Sequence, residues 1–385
     1  MSISSRETKA VITVSLIISL RLLGMFLILP VFSVYTINYP GANLTLSGVA
    51  FGIYALSQSL LQIPFGWASD IFGRKRIILI GLFLFSIGSI VCALAENINQ
   101  LIMARVIQGS GAIGAVAIAS LGDLTRSHVR AQVFTITSII IGTSFIIGLI
   151  AGPFLAAELG FDSLFYLLAI LGFIAIIVTA LFFPKIVEAE HKNYIQRLFV
   201  FIYNYELKRL YVASFIISFT LNMFFFIYPL SWISLGLNKI QLWKIYLIIL
   251  LPSALIVFPY IRYAEKRDKL QLPTWIGWVI LLFSFLFYLT GGIHKWVLFA
   301  SGIAFFLGYT LFQSILPAFL TQRVPSESRG AASGFYNLSN FLGASLGGML
   351  VGFLYNLNQY IPLIVVLFVL ILWLFIGLPR QPDTD

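Results

Sequence analysis

The chain has 385 residues, of which 60% are apolar and only 10% charged, against about 25% charged in an ordinary soluble domain. Its mean hydropathy of +0.99 excludes a water-soluble fold, because a folded domain still exposes a large share of its surface. The net charge of +10 would suit nucleic acid in a soluble protein, but here the cations lie in short stretches between apolar runs and serve membrane orientation. A single cysteine, Cys92, allows no internal disulfide, and three scattered histidines, His128, His191 and His294, give no metal cluster.

A hydrocarbon core about 30 Å thick takes about 20 apolar residues per helical crossing, and lipid leaves no backbone group unsatisfied, so long apolar runs are helices. In chain order, twelve runs meet that length: 10–36, 45–66, 77–95, 99–122, 131–157, 163–183, 208–233, 240–262, 273–291, 294–321, 330–356 and 359–378. The first is too long for a signal peptide and is read as a crossing. Between the sixth and seventh lies the one long polar stretch, 184–207, with Glu188, Glu190, His191, Lys192, Arg197 and Glu206. Within it Ile195, Leu198, Phe199 and Ile202 recur at helical spacing, which predicts an amphipathic helix on the membrane surface. The expected architecture is an all-α membrane protein of twelve transmembrane helices: a bundle over 1–183, a linker over 184–207 and a second bundle over 208–385.

With the N-terminus in the cytoplasm, nineteen Lys and Arg fall on the inner side and three, Lys239, Lys244 and Lys295, on the outer side. Arg21 and Arg105 lie inside runs and complete the 24. That asymmetry predicts both termini, and the linker, in the cytoplasm. The halves also echo one another. Arg130 and Arg329, Gly148 and Gly347, and Gly109 and Gly308 are all 199 residues apart, the spacing expected of duplicated halves.

Between the second and third runs stands Gly66-Trp-Ala-Ser-Asp70-Ile-Phe-Gly73-Arg74-Lys75-Arg76. Gly66 permits close helix approach, Asp70 sits one turn on, Gly73 allows a tight turn, and three cations hold the loop in the cytoplasm. This pattern resembles the signature loop of the major facilitator superfamily. The fourth run carries Arg105-Val-Ile-Gln108-Gly109-Ser-Gly111, similar to a second pattern of that family. In the fifth, Gly148-Leu-Ile-Ala-Gly152-Pro153 resembles the core of a packing motif associated with antiporters, although Ala156 and Ala157 replace its trailing glycines. The first run resembles those of twelve-helix bacterial drug/proton antiporter-like members. A second copy of the signature loop is degenerate, with Pro259 and Tyr263 where Gly66 and Asp70 stand.

The resemblance implies roles for particular residues. Gly66, Asp70, Gly73, Arg74 and Asp123 would form a conformational latch, Asp70 facing the N-terminus of the eleventh helix near Ser328 to Ala332, where the helix dipole favours a carboxylate. Helices 1, 4, 7 and 10 would line a central cavity, and Arg105, oriented by Gln108, would serve proton coupling. Arg21, mid-helix, needs a wet cavity or a partner; with no Asp or Glu in the middle of any run, that leaves water, amides such as Gln58 or Asn340, or a substrate's negative charge. Polar pairs sharing one helical face, Tyr54 with Gln58, Asn222 with Phe225, Tyr309 with Gln313, and Asn337 with Asn340, should look inward.

The function implied is secondary transport of a small molecule across the inner membrane by proton-coupled export. Uniport or symport of a polar or anionic metabolite is the alternative, and a non-transporting membrane sensor is the alternative of another class. No nucleophile–base set and no G-x-x-x-x-G-K-[ST] loop is present, so neither an enzyme nor direct ATP drive is expected. No cofactor, no nucleic acid and a monomer among lipids complete the expectation, with the proton gradient as energy source. Cysteines introduced at 36–44 should react with impermeant thiol reagents from outside and cysteines at 186–194 should not; the reverse pattern would overturn the orientation.

Overall fold

In the computed structural model, residues 4–126, 129–184, 204–267, 269–324 and 329–381 are described. Helices account for nearly all of them, and the described residues contain no strand. The helices are α1 (Ser5–Ile28), α2 (Phe32–Thr36), α3 (Leu44–Phe72), α4 (Arg74–Ala93), α5 (Ile98–Gly109), α6 (Gly114–Leu124), α7 (Arg130–Leu159) and α8 (Phe161–Phe182). Then follow α9 (Tyr205–Ser234), α10 (Leu242–Lys266), α11 (Gln271–Gly291), α12 (Lys295–Arg323), α13 (Arg329–Leu357) and α14 (Ile361–Ile376). The surface helix expected within 184–207 lies outside the described residues.

Eleven spans among the described residues are long and apolar enough to cross a membrane, counting α5 and α6 as one span over 98–124. The twelfth expected crossing is α14, whose 16 residues reach about 24 Å at 1.5 Å per residue. Two expected helices are corrected in detail. The first run, read as one helix over 10–36, ends at Ile28, and Pro30 separates it from the short α2. The fourth, read as one helix over 99–122, is broken at 110–113, where Gly109 and Gly111 press on neighbouring backbone. A Cβ on Gly109 would collide with the Tyr54 carbonyl oxygen of α3, and one on Gly111 with the Gly81 carbonyl oxygen of α4. Prolines inside helices, Pro64, Pro153, Pro229, Pro252, Pro259 and Pro317, are tolerated where neighbouring helices satisfy the freed backbone groups.

The spacing of 199 reappears as matched contacts. In one half α1 meets α7 through Ser15 and Thr137, whose hydroxyls stand 2.8 Å apart. In the other α9 meets α13 through Ser214, which donates to the Tyr336 carbonyl at 3.2 Å. Adding 199 to Ser15 and Thr137 gives Ser214 and Tyr336. A looser echo joins Arg126 to Glu7 at 2.8 Å and Arg323 to Glu206 at 3.2 Å: the glutamates stand 199 residues apart, while the arginines stand 197 apart. Gly148 and Gly152 let α7 lie directly on α1, where a Cβ would meet Phe26 and the Leu27 backbone; Gly347 does the same between α13 and the Phe219 backbone of α9.

The halves touch most intimately along α3 and α13. A Cβ on Gly48 would stand 2.8 Å from the Gly352 nitrogen, and one on Gly348 would stand 2.8 Å from the Gly52 Cα. This four-glycine seam lies at the end of the molecule away from the Gly73 turn. There Tyr246 also donates to the Pro30 carbonyl at 3.3 Å, and Phe51 meets Phe226 at 6.2 Å between ring centres. Gly48→Ala should overpack the seam, cost about 1–3 kcal/mol and lower the melting temperature in detergent. Gly142→Ala, where a Cβ meets nothing within 4 Å, should gain roughly 0.5–1 kcal/mol of helix propensity.

Candidate functional site

The buried polar groups of the first half converge on Tyr54 of α3. Arg21 of α1 and Arg105 of α5 are 3% and 4% exposed. Arg21 donates from Nη2 to the Tyr54 hydroxyl at 3.3 Å and places its guanidinium 5.7 Å from the Phe85 ring centre. Arg105 lies 4.5 Å over the face of the Tyr54 ring and 5.2 Å from that of Phe32. One tyrosine therefore serves two cations, its oxygen one and its ring the other. Arg105 also donates to Gln108 Oε1 at 2.5 Å and to the Ala50 carbonyl at 3.4 Å. Gln108 in turn donates from Nε2 to Ser89 at 2.8 Å. Gly88 of α4 makes room for it, since a Cβ there would collide with the Gln108 backbone. Among the described residues neither guanidinium forms an ion pair.

Of the partners left open for Arg21, water, an amide such as Gln58 or Asn340, or a substrate's charge, neither amide is bonded to it, and the Tyr54 hydroxyl stands there instead. Gln58 lies one turn beyond Tyr54 on α3, out of that bond, and Asn340 accepts from Ser218 at 3.3 Å instead. Gln58 is fully buried and neither atom of its amide has a partner. The same is true of Gln62, 1% exposed, which completes an i, i+4, i+8 series with Tyr54 and Gln58. The sequence reading passed over Gln62, although the spacing of 4 on an otherwise apolar helix was there to see.

In the second half Asn222 is buried and donates to its own helix, at the Ser218 carbonyl 2.9 Å away. Ser218 thereby links Asn222 to Asn340 across α9 and α13. Phe225, paired with Asn222 in the sequence reading, is buried and meets Phe145 of α7 at 6.5 Å between ring centres. Tyr309 and Gln313 of α12 are hydrogen-bonded to each other; Tyr309 is buried and Gln313 exposed. Tyr309 faces Phe145 at 6.1 Å, which ties it to the first half. Asn337 is half-buried on α13. The arginine cluster and these second-half groups are separate assemblies, and Phe145 of α7 is the first-half ring that meets Phe225 and Tyr309.

At the signature loop Gly73 has φ +89°, a conformation that favours glycine. Arg74 bridges the loop: its Nη1 lies 2.6 Å from Asp70, its Nε donates to Asp123 at 3.1 Å, and it also reaches Ser69. Gly66 is buried, and its carbonyl accepts from Ser69 at 2.7 Å. Of the expected counterpart of Asp70, Ser328 to Ala332, Ser328 lies outside the described residues. Gly148, Gly152 and Pro153 belong to the α1–α7 contact, so this motif is helix packing. The Glu7–Arg126 pair went unnoticed in the sequence because 119 residues separate its members. Among the described residues no group of His, Cys, Asp and Glu is placed to hold a metal ion.

A family profile for the Major Facilitator Superfamily matches residues 14–348. The chain belongs to the Major Facilitator Superfamily. It is a multi-pass membrane transporter, not an enzyme, and transport by this superfamily needs no cofactor. The chain is 33% identical over 353 residues to the inner membrane transport protein YajR of Escherichia coli, covering 90% of this chain and 78% of YajR. It is also 33% identical over 346 residues to an uncharacterized transporter of Buchnera aphidicola, covering 89% of each. The quinolone resistance protein NorA of Staphylococcus aureus is 35% identical over 167 residues, 42% of each chain. The nucleoside transporter NupG, solved by crystallography, superimposes with a TM-score of 0.73 over 95% of this chain and 98% of its own at 14% identity. Tyr54→Phe removes the acceptor of Arg21 and should cost about 1–3 kcal/mol of stability. In a double-mutant cycle with Arg21→Gln the loss should be strongly non-additive; additive melting-temperature shifts would show that the two side chains act independently.

Proposed function

We propose that this transporter moves a small polar molecule across the inner membrane by alternating access, in proton-coupled export. The bundles over 1–183 and 208–385, joined by 184–207, would rock about a site between them, with both termini in the cytoplasm. The observation that carries the reading is the Arg21–Tyr54–Arg105 cluster: two permanent cations among neutral partners inside the membrane spans. Such charges are costly in a merely structural place and mark substrate or ion pathways. Arg105, held by Gln108, is the coupling residue, and Arg21 faces the cargo. On the second half Asn222, Tyr309, Gln313, Asn337 and Asn340 complete the cavity.

The four-glycine seam of α3 and α13 would serve as the outer gate, and Asp70, Gly73, Arg74 and Asp123 as the inner latch. The likeness of part of the chain to NorA supports export, and the Gly152-Pro153 motif agrees. A second reading, uptake of an anionic metabolite by symport or uniport, is favoured by the absence of a carboxylate beside either arginine among the described residues. Proteoliposomes with an imposed pH gradient separate the two. Export predicts substrate movement against the proton flow, and symport predicts movement with it. Asp70→Asn and Arg74→Ala should slow either flux at unchanged expression; full flux in both would leave the signature loop a topology anchor only.

A further inference from the structure

A helix that begins in the middle of a membrane span exposes N–H groups that lipid does not satisfy. α6 begins in this way, after the break at 110–113 inside the span over 98–124. It is 11 residues long, and no side chain caps it. Ala117 is the first of its residues to find a backbone acceptor, the Ile113 carbonyl at 2.9 Å. The N–H groups of Gly114, Ala115 and Val116 meet none among the described residues. The positive end of the helix dipole therefore sits unpartnered at the break.

A second observation stands at the same place. A Cβ built on Gly114 would meet only the Gln62 amide, with Nε2 at 3.5 Å and Oε1 at 4.0 Å. That amide is 1% exposed and unpartnered at both atoms. One turn back along α3, Gln58 is equally buried and equally unpartnered. One turn further back, Tyr54 holds Arg21, whose Nε has no partner. Three backbone N–H groups, two amides and a guanidinium thus follow one track through a region where no described carboxylate balances the charge. Buried polar groups in folded proteins are satisfied by something. Water would satisfy the dipoles and leave the positive charge. A simple anion would satisfy the donors and leave both amide oxygens without a donor.

We infer that the α5–α6 break binds the head of a small organic acid bearing a hydroxyl or amino group beside its carboxylate. The carboxylate accepts from the α6 N-terminus and the amide nitrogens, on the side of Arg21. The neighbouring hydroxyl or amine donates to Gln58 and Gln62 Oε1. Only the statement that this acid is the cargo rests on the proposed function; the binding site stands by itself.

The test is a thermal-shift titration of the purified full chain in detergent with lactate, acetate, chloride and sulfate at matched ionic strength. Lactate should raise the melting temperature by at least about 2 °C, a shift that corresponds to roughly 1.6 kcal/mol at about 2.1 cal/mol/K of unfolding entropy per residue over 385 residues. Acetate should act more weakly, and chloride and sulfate not at all. Gln62→Leu and, separately, Gln58→Leu should abolish the lactate shift without lowering the melting temperature of the unliganded protein, because each removes an unpartnered amide. Equal shifts with all four anions, or no shift together with destabilised Leu variants, would overturn the inference; the second outcome would make the amides holders of structural water. The readout is binding, so it fails or succeeds separately from proton-coupled flux.

Discussion

Hydrocarbon supplies no hydrogen bonds, and this constraint orders the whole molecule. It makes every described crossing a helix, lets prolines stand only where neighbours take over the freed carbonyls, and turns each buried side-chain donor into a problem with few solutions. Serines and threonines mostly solve it within their own helix, as Ser86 does with the Leu82 carbonyl and Thr220 with that of Ile216. Among the places where the solution is costly or incomplete are Arg21, Arg105, Gln58, Gln62 and the start of α6. These five belong to one neighbourhood of the first half, whereas others, such as the Trp232 and Trp373 ring nitrogens, lie in the second.

Two guanidinium groups ordinarily enter a membrane protein with carboxylates. Here the partners are a phenol, an amide, a carbonyl and aromatic faces. A neutral cage of this kind holds a cation in position without cancelling its charge. A carboxylate in place of Tyr54 would form tight pairs and remove most of the field that a ligand could use. With Tyr54, the positive potential of both arginines persists along α3 toward Gln58 and Gln62, and the unpartnered end of α6 adds to it. Charge and geometry are decided by the same residue, whose ring one cation covers and whose hydroxyl another uses.

Glycines decide how closely the helices lie. Apolar side chains give little drive for helices to associate in lipid, so close backbone approach and interhelical hydrogen bonds take over that role. Gly148 and Gly152 fuse α7 to α1, Gly347 ties α13 to α9, and Gly48, Gly52, Gly348 and Gly352 join α3 to α13. Contacts of the first kind recur at the 199-residue spacing and make each half firm. The seam joins the halves by direct backbone contact between Gly48 and Gly352 and between Gly52 and Gly348, with Met349 and Phe51 packed beside it.

Much of the fold was legible in residue order, because apolar length and the placement of lysine and arginine answer directly to the membrane. Part of the signature loop was legible too: Gly73 takes the positive φ that its place in the motif demands, but the bridging of Asp70 and Asp123 by Arg74 came only from the structure. Arg21 and Arg105 stood out as charges in apolar runs. Their partners did not, because Tyr54 lies 33 residues from Arg21 and nothing local marks a tyrosine as the acceptor for one cation and the platform for another. By itself, then, the sequence determined a multi-span helical chain, its helix-packing glycines and the presence of two buried cations, since each of these follows from local composition in a hydrocarbon solvent. Only the tertiary structure decided that the fourth crossing breaks at 110–113, that Gln62 lies beside the start of α6, and that both arginines share Tyr54. Those facts depend on which helices become neighbours, and distances between helices are written in no single stretch of the chain.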